Sequence, residues 1–162
     1  MVKFLKTTII EEKKLIGKSI IMSYAKDITQ SLWQSFMPER KEILNSVGND
    51  FIAMQLFPKE YFKKFDFKLK FEKWATLEVS NFDYIPNGMK SFTIPSGEYA
   101  VFLHKGGKEE ASKTYMYIFR DWLPNSEYDL DDRPHFEILG EKYKRNSPIS
   151  EEEIWIPIIK KV

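Results

Sequence analysis

Cysteine is absent from the chain, which excludes disulfides, thiolate metal sites and a cysteine nucleophile. That absence fits a reducing cytoplasm, the location expected here. Histidine is nearly absent: His104 and His135 stand apart, without the carboxylate spacing of a zinc site or a Ser-His-Asp triad. No metal and no cofactor is expected. No serine lies in a nucleophile elbow, and Gly106-Gly107 is not a phosphate loop. Long apolar runs are missing as well. The start, Met1 to Lys6, has no stretch long enough for a signal peptide. Ser19 to Ala25 falls far short of the roughly 20 residues that a membrane span needs. Nor is there an excess of one charge. The net charge of +1 gives no global field toward nucleic acid or an anionic membrane, so neither is an expected partner.

What the chain has in surplus is aromatic surface: 13 Phe, 8 Tyr and 4 Trp make 15% of its residues. Most of these rings fit a Phe-rich core, and an aromatic-lined pocket would use the remainder. The composition is otherwise that of a soluble globular protein, with 43% hydrophobic and 30% charged residues. At 162 residues a single domain is expected over 1–162. Residues 1–81 carry 14 basic and 10 acidic groups against 11 and 14 in residues 82–162, which predicts an uneven surface without a polyanion-binding tail.

The pattern along the chain repeats. Residues 6–24 read as extended, with Gly17 as a bulge or bend. Asp27 then caps a helix carrying Ile28, Leu32, Trp33, Phe36 and Met37 at helical spacing. Pro38 should kink that helix or restart it as a first-turn residue. Phe51 to Phe57 is a strand. Residues 65–79 read as another, since Phe65, Phe67, Leu69 and Phe71 alternate with Asp66, Lys68, Lys70 and Glu72. Ile85 to Gly88 forms a turn, and the plan starts again: an extended stretch from Ser91 to His104 broken at Pro95-Ser96-Gly97, then a helix. Ala111, Tyr115, Ile118 and Trp122 share one face of that helix, which Leu123-Pro124 ends. Strands follow at about 134–139 and 154–159. Phe36-Met37-Pro38 and Trp122-Leu123-Pro124 are a faint echo of each other. The expected fold is α+β, two tandem strand–helix–strand–strand units, about 1–84 and 88–162. Together they would form a mainly antiparallel sheet, with two helices flanking a central ligand cleft.

Glu137 is the sharpest candidate for chemistry. It is the only charge among Phe136, Ile138 and Leu139 in an apolar strand, and a carboxylate in a dry site is costly unless something pairs with it. The same pattern also fits an edge strand with Glu137 in water, or a glutamate satisfied by a core Tyr or Arg. Leu139 falls on the same face of the strand. Trp33 fits core packing as well as ligand contact. Tyr115 has a phenol that needs a partner, which a pocket would supply. Trp74 leans away from the Phe-rich face, and the facing of Phe102 is open. Residues 59–74 interleave six lysines with five Phe or Tyr, but three acids dilute them and the lysines alternate as a solvated strand face should. Asp129, Asp131 and Asp132 read as a solvated acidic loop.

Four segments in this order resemble the GyrI-like effector-binding family, the small-molecule domains attached to AraC- and MerR-type regulators and also found alone. They are Leu32-Trp33-Gln34-Ser35-Phe36-Met37-Pro38, Ser91 through Phe102, Trp122-Leu123-Pro124-Asn125-Ser126 and Glu153-Ile154-Trp155-Ile156-Pro157-Ile158. The resemblance implies a pocket for a hydrophobic, lipophilic and cationic small molecule, with Glu137 as counter-charge and Trp155 as an aromatic on the last strand. Together with the helix positions Trp33 and Tyr115, placed at the cleft, this gives the candidate ligand-binding set Trp33, Tyr115, Glu137, Leu139 and Trp155. A stand-alone effector-binding or drug-sequestering role follows, with a transcriptional regulator or DNA gyrase as the kind of protein partner. Some domains of this type resemble hydrolases that open strained cyclopropane-bearing genotoxins. In that alternative Glu137 is the catalytic acid or base. No helix-turn-helix pattern stands at either end, so direct nucleic-acid binding is not expected.

Overall fold

Two acidic residues, Glu11 and Glu12, interrupt the first extended segment, and the computed structural model, which describes residues 1–162, divides the chain there. One unit is continuous, Glu12–Pro95; the other is split, Met1–Glu11 together with Ser96–Val162. In chain order the elements are β1 (Val2–Ile10), β2 (Lys13–Met22), α1 (Thr29–Phe36), β3 (Ser46–Leu56), β4 (Phe71–Val79), β5 (Lys90–Ile94), β6 (Gly97–Lys105), α2 (Lys108–Met116), β7 (Tyr128–Leu130), β8 (His135–Leu139) and β9 (Glu151–Lys160). The class is α+β with antiparallel strand pairing, as expected. The division differs from the expected 1–84 and 88–162, because β1 pairs with β6 and so joins the later residues.

In the continuous unit the strands lie in the order β3-β4-β2-β5. Gly17 sits within β2 without a bulge: it pairs Thr76 on one side and Lys90 on the other. A Cβ there would stand 1.9 Å from the Ala75 carbonyl oxygen, so the residue is small because two backbones meet closely. Asp27, expected as the cap of α1, lies one residue before it: Ile28 is the capping position and makes no side-chain cap bond, while the Asp27 carboxylate accepts the Thr29 N–H at 2.9 Å in a local turn. The helix buries Leu32 and Phe36 against Ile16, Ala75, Leu77 and Val79. Each such side chain removed from water stabilises by about 1.5–3 kcal/mol. Pro38 restarts the helix as a 3₁₀ segment, Met37–Glu42, in its first turn.

The strand expected over 65–79 begins only at Phe71. Residues 59–70 form turns and irregular loop instead. The Asp66 carboxylate accepts the Lys68 N–H at 2.8 Å, the Leu69 N–H reaches the Asp66 carbonyl at 3.0 Å, and the Ala25 N–H holds the Phe67 carbonyl at 2.8 Å. Asp66 offers the backbone a local alternative to a ladder, and that overrides the period-two pattern.

In the split unit the strands run β1-β6-β9-β8, with β7 also on β9. Directly opposed residues share a face, so Ala100 and Phe102 of β6 stand with Ile154 and Ile156 of β9 and with Glu137 of β8. This face packs under the helical segment through Ile118, Tyr115, Phe119 and Trp122. That segment does not stop at Leu123-Pro124: α2 passes into a π-helical turn, Tyr117–Trp122, and a last α turn, Leu123–Asn125, which has Pro124 in its first turn. In neither unit is there a helix long and apolar enough to cross a membrane.

Candidate functional site

The period-two geometry of β8 sends His135, Glu137 and Leu139 to the helix-facing side and Phe136 to the reverse. Glu137 is half-buried, and the Tyr115 hydroxyl of α2 donates to its Oε1 at 2.7 Å. Tyr115 and Phe119, one helical turn apart, stack at 6.4 Å between ring centroids with planes 11° apart. Phe119 then approaches the His135 ring at 6.2 Å. A row of rings thus runs beside one carboxylate. Leu139, 8% exposed, supplies apolar surface on the same strand face.

Two polar groups that the sequence did not point to complete this corner. His104, 2% exposed, lies within 2.8 Å of the Thr114 hydroxyl through Nδ1. Burial holds its pKa below the ordinary value; hydrogen bonding to Gly107 and the Glu137 charge act in the opposite direction. Tyr143, in the loop before β9, has its phenol pKa raised by burial first and then by the negative charges of Glu152 and Glu137. Phe119 was findable as the residue four positions after Tyr115. His104 and Tyr143 reach Glu137 only through tertiary folding, and no local pattern marks them.

The five residues named from sequence do not all meet. Tyr115, Glu137 and Leu139 belong to one helix-facing surface of the split unit. Trp155 pairs across from Phe136 and stacks on it at 5.2 Å and 17°, which places it on the reverse face of that sheet. Its indole N–H donates to Glu153 Oε1 at 3.1 Å. Trp33 belongs to the continuous unit, half-buried, with its ring edge-on to Phe36 and Phe51 at 5.9 Å each. Trp74 is buried at 3% exposure, with the Lys90 ammonium 5.0 Å from its ring centre. Phe102 is fully buried beneath Trp122. Asp131 is not merely solvated; it holds the Arg133 guanidinium at 2.6 Å, and that group lies over the Tyr99 ring at 4.7 Å.

The open hollow of about 930 Å³ in the split unit lies elsewhere, at the start of α2, lined by Met1, Lys105, Gly106, Glu110 and Asn146 among others. It stands at the surface around the first residues of α2, and Glu137 is not among its lining residues. No three His, Asp or Glu side chains converge as metal ligands would. What the Glu137 corner offers is a carboxylate, a phenol bound to it, and stacked ring faces.

Comparison with known proteins bears on that arrangement. Residues 8–159 match the family described as GyrI-like small molecule binding domain. The transcriptional regulator BrlR of Pseudomonas aeruginosa is 23% identical over 145 residues, which is 89% of this chain and 51% of BrlR. The chain therefore spans about half the length of that curated relative. The C-terminal domain of EcmrR superposes with a TM-score of 0.73 at 18% identity, covering 98% of this chain and 99% of that one. SAV2435, solved bound to tetraphenylphosphonium, superposes at 0.71 with 16% identity over 97% of this chain and 94% of its own. At these identities the structural likeness is one of fold.

Proposed function

We propose, from the premise that the chain belongs to the GyrI-like small-molecule binding domain family, that its ligand is a lipophilic cation held against Glu137. The observation that carries this is the 2.7 Å bond from Tyr115 to Glu137 beside the Tyr115–Phe119 stack. It fixes a carboxylate at the edge of aromatic surface. A cation ~4 Å from a carboxylate gains about 4 kcal/mol at an effective dielectric of ~20. Ring faces add roughly 0.5–2 kcal/mol each. Tetraphenylphosphonium in SAV2435 is a molecule of this class, which supports the choice of cation. Leu139 gives apolar contact on the same strand face, and Trp155 contributes from behind by packing on Phe136.

The likeness to BrlR, a transcriptional regulator, supports a further part of the proposal, that occupancy is coupled to transcription. A regulator or DNA gyrase is the protein partner proposed, and a ligand-dependent change in supercoiling by gyrase would identify the latter.

Replacing Glu137 with Gln tests the proposal, since it keeps shape and hydrogen bonding and removes the charge. Affinity for tetraphenylphosphonium, measured by calorimetry, should fall by about 1.5–3 kcal/mol, the worth of a charge-assisted bond. Affinity for neutral triphenylphosphine oxide should change little. Equal losses for both would mean that Glu137 shapes the pocket without reading charge. Loss of turnover of a strained cyclopropane substrate with unchanged binding would select the hydrolase alternative, in which Glu137 is acid or base.

A further inference from the structure

The segment joining β3 to β4 has no part in the Glu137 site, and it is unlike the rest of the surface. Its turns expose Phe62, Phe65 and Phe67 at 37%, 46% and 68%. Tyr24, 44% exposed, stacks with Phe65 at 6.5 Å, and Phe67 packs edge-on to Phe65 at 5.1 Å. These rings form one apolar patch. Beneath it Tyr61 and Phe71 are buried, so the patch has a rigid base. The same stretch of chain carries five exposed lysines, Lys59, Lys63, Lys64, Lys68 and Lys70, against two acids, Glu60 and Asp66. Glu60 is engaged by Lys63 at 3.4 Å, and Asp66 is turned onto the Lys68 backbone N–H. A chain of net charge +1 thus concentrates positive charge around its most exposed phenylalanines.

We propose that this basic, aromatic loop is a docking surface for an anionic lipid bilayer. Phenylalanine rings gain free energy by entering the headgroup–acyl boundary. Lysines around them are drawn to a negative leaflet, and the attraction falls off within a Debye length. A single-stranded nucleic acid fits less well. It wants ring faces set apart for successive bases, whereas here the rings lie against one another. An acidic peptide would satisfy the lysines and leave no strand edge or helical groove to hold its backbone, because the segment is built of turns. The expectation of no membrane partner rested on net charge averaged over the chain, and the folded loop is far from that average.

Flotation of the full 162-residue chain with vesicles tests the proposal. Binding is expected with vesicles of 30% phosphatidylglycerol in phosphatidylcholine, at least tenfold stronger than with phosphatidylcholine alone, and weakened at least fivefold between 0.1 and 0.5 M salt. The variant F65S/F67S should lose tenfold or more while keeping its circular dichroism and thermal transition, since both rings are exposed. The variant K64E/K68E leaves every ring in place and should lose at least as much. Tetraphenylphosphonium affinity should be unchanged in both. Absence of binding to the anionic vesicles would overturn the proposal, as would equal binding to both vesicle types. Binding by folded variants at the wild-type level would also overturn it. So would a preference for polyglutamate or single-stranded oligonucleotide over the anionic vesicles.

Discussion

At the scale of single residues, the buried histidines set a limit on stability in acid. His135 is 6% exposed, and burial, followed by the neighbouring Arg133 charge, pushes its pKa down to about 3. His104 is shifted in the same direction by burial. Both are neutral in the fold near pH 7, whereas the unfolded chain takes up protons below its ordinary histidine value of about 6.5. The unfolded state then binds more protons, so stability falls as pH drops from about 6.5 toward 3, by up to ~1.4 kcal/mol per pH unit for His135. Urea unfolding at pH 7.5, 6.0 and 5.0 should show this decline, and H135N should flatten it. The candidate site was half legible at this scale. Glu137 announces itself as a lone charge in an apolar strand. Tyr115 announces itself as a phenol on an apolar helix face. His104, 33 positions from Glu137, feels its charge through a fold that no local spacing encodes.

Among elements, what the sequence conveyed depended on whether a period or a local hydrogen bond had the final word. α1 and its restart at Pro38 were legible because apolar spacing and a missing N–H agree. Residues 65–70 alternate as a strand should, yet Asp66 closes a turn on its own backbone. The helix in the split unit was placed correctly but its end was not, since a π-helical turn shifts the register by one residue before Pro124. Three-residue β7 is too short for any pattern to reveal. Gly17 shows an element held by a missing side chain. The variant G17A would drive a methyl group into the Ala75 carbonyl and force β2 away from β4. A loss of 3 kcal/mol or more is expected in denaturant unfolding, at the high end for a single substitution. A loss under 1 kcal/mol would show that β2 shifts freely.

For the molecule as a whole, composition and the repeated order of helices and strands conveyed the α+β class, because antiparallel strands and amphipathic helices leave periodic traces. The hand-over of the first strand left none. The sequence of β1 suits pairing with many partners, and only the fold shows that its ladder mate is β6, Val2 opposite His104 and Ile10 opposite Gly97. That hand-over has a temporal side. A protein is made from its N-terminus, and domains generally fold as units during synthesis. The continuous unit has its whole sequence, with its own buried clusters around Phe36 and Tyr61, once Pro95 is made. β1, though made before the continuous unit, must wait for β6, and β6 in turn for β9. Ribosome-stalled chains that have released Pro95 but lack β6 should therefore resist protease across Glu12–Pro95 and be cut within Met1–Glu11. Equal protection of both segments would mean that β1 finds another partner in the nascent chain. Until β6 emerges, β1 is an unpaired ribbon upstream of a finished unit, one that a chaperone has reason to hold.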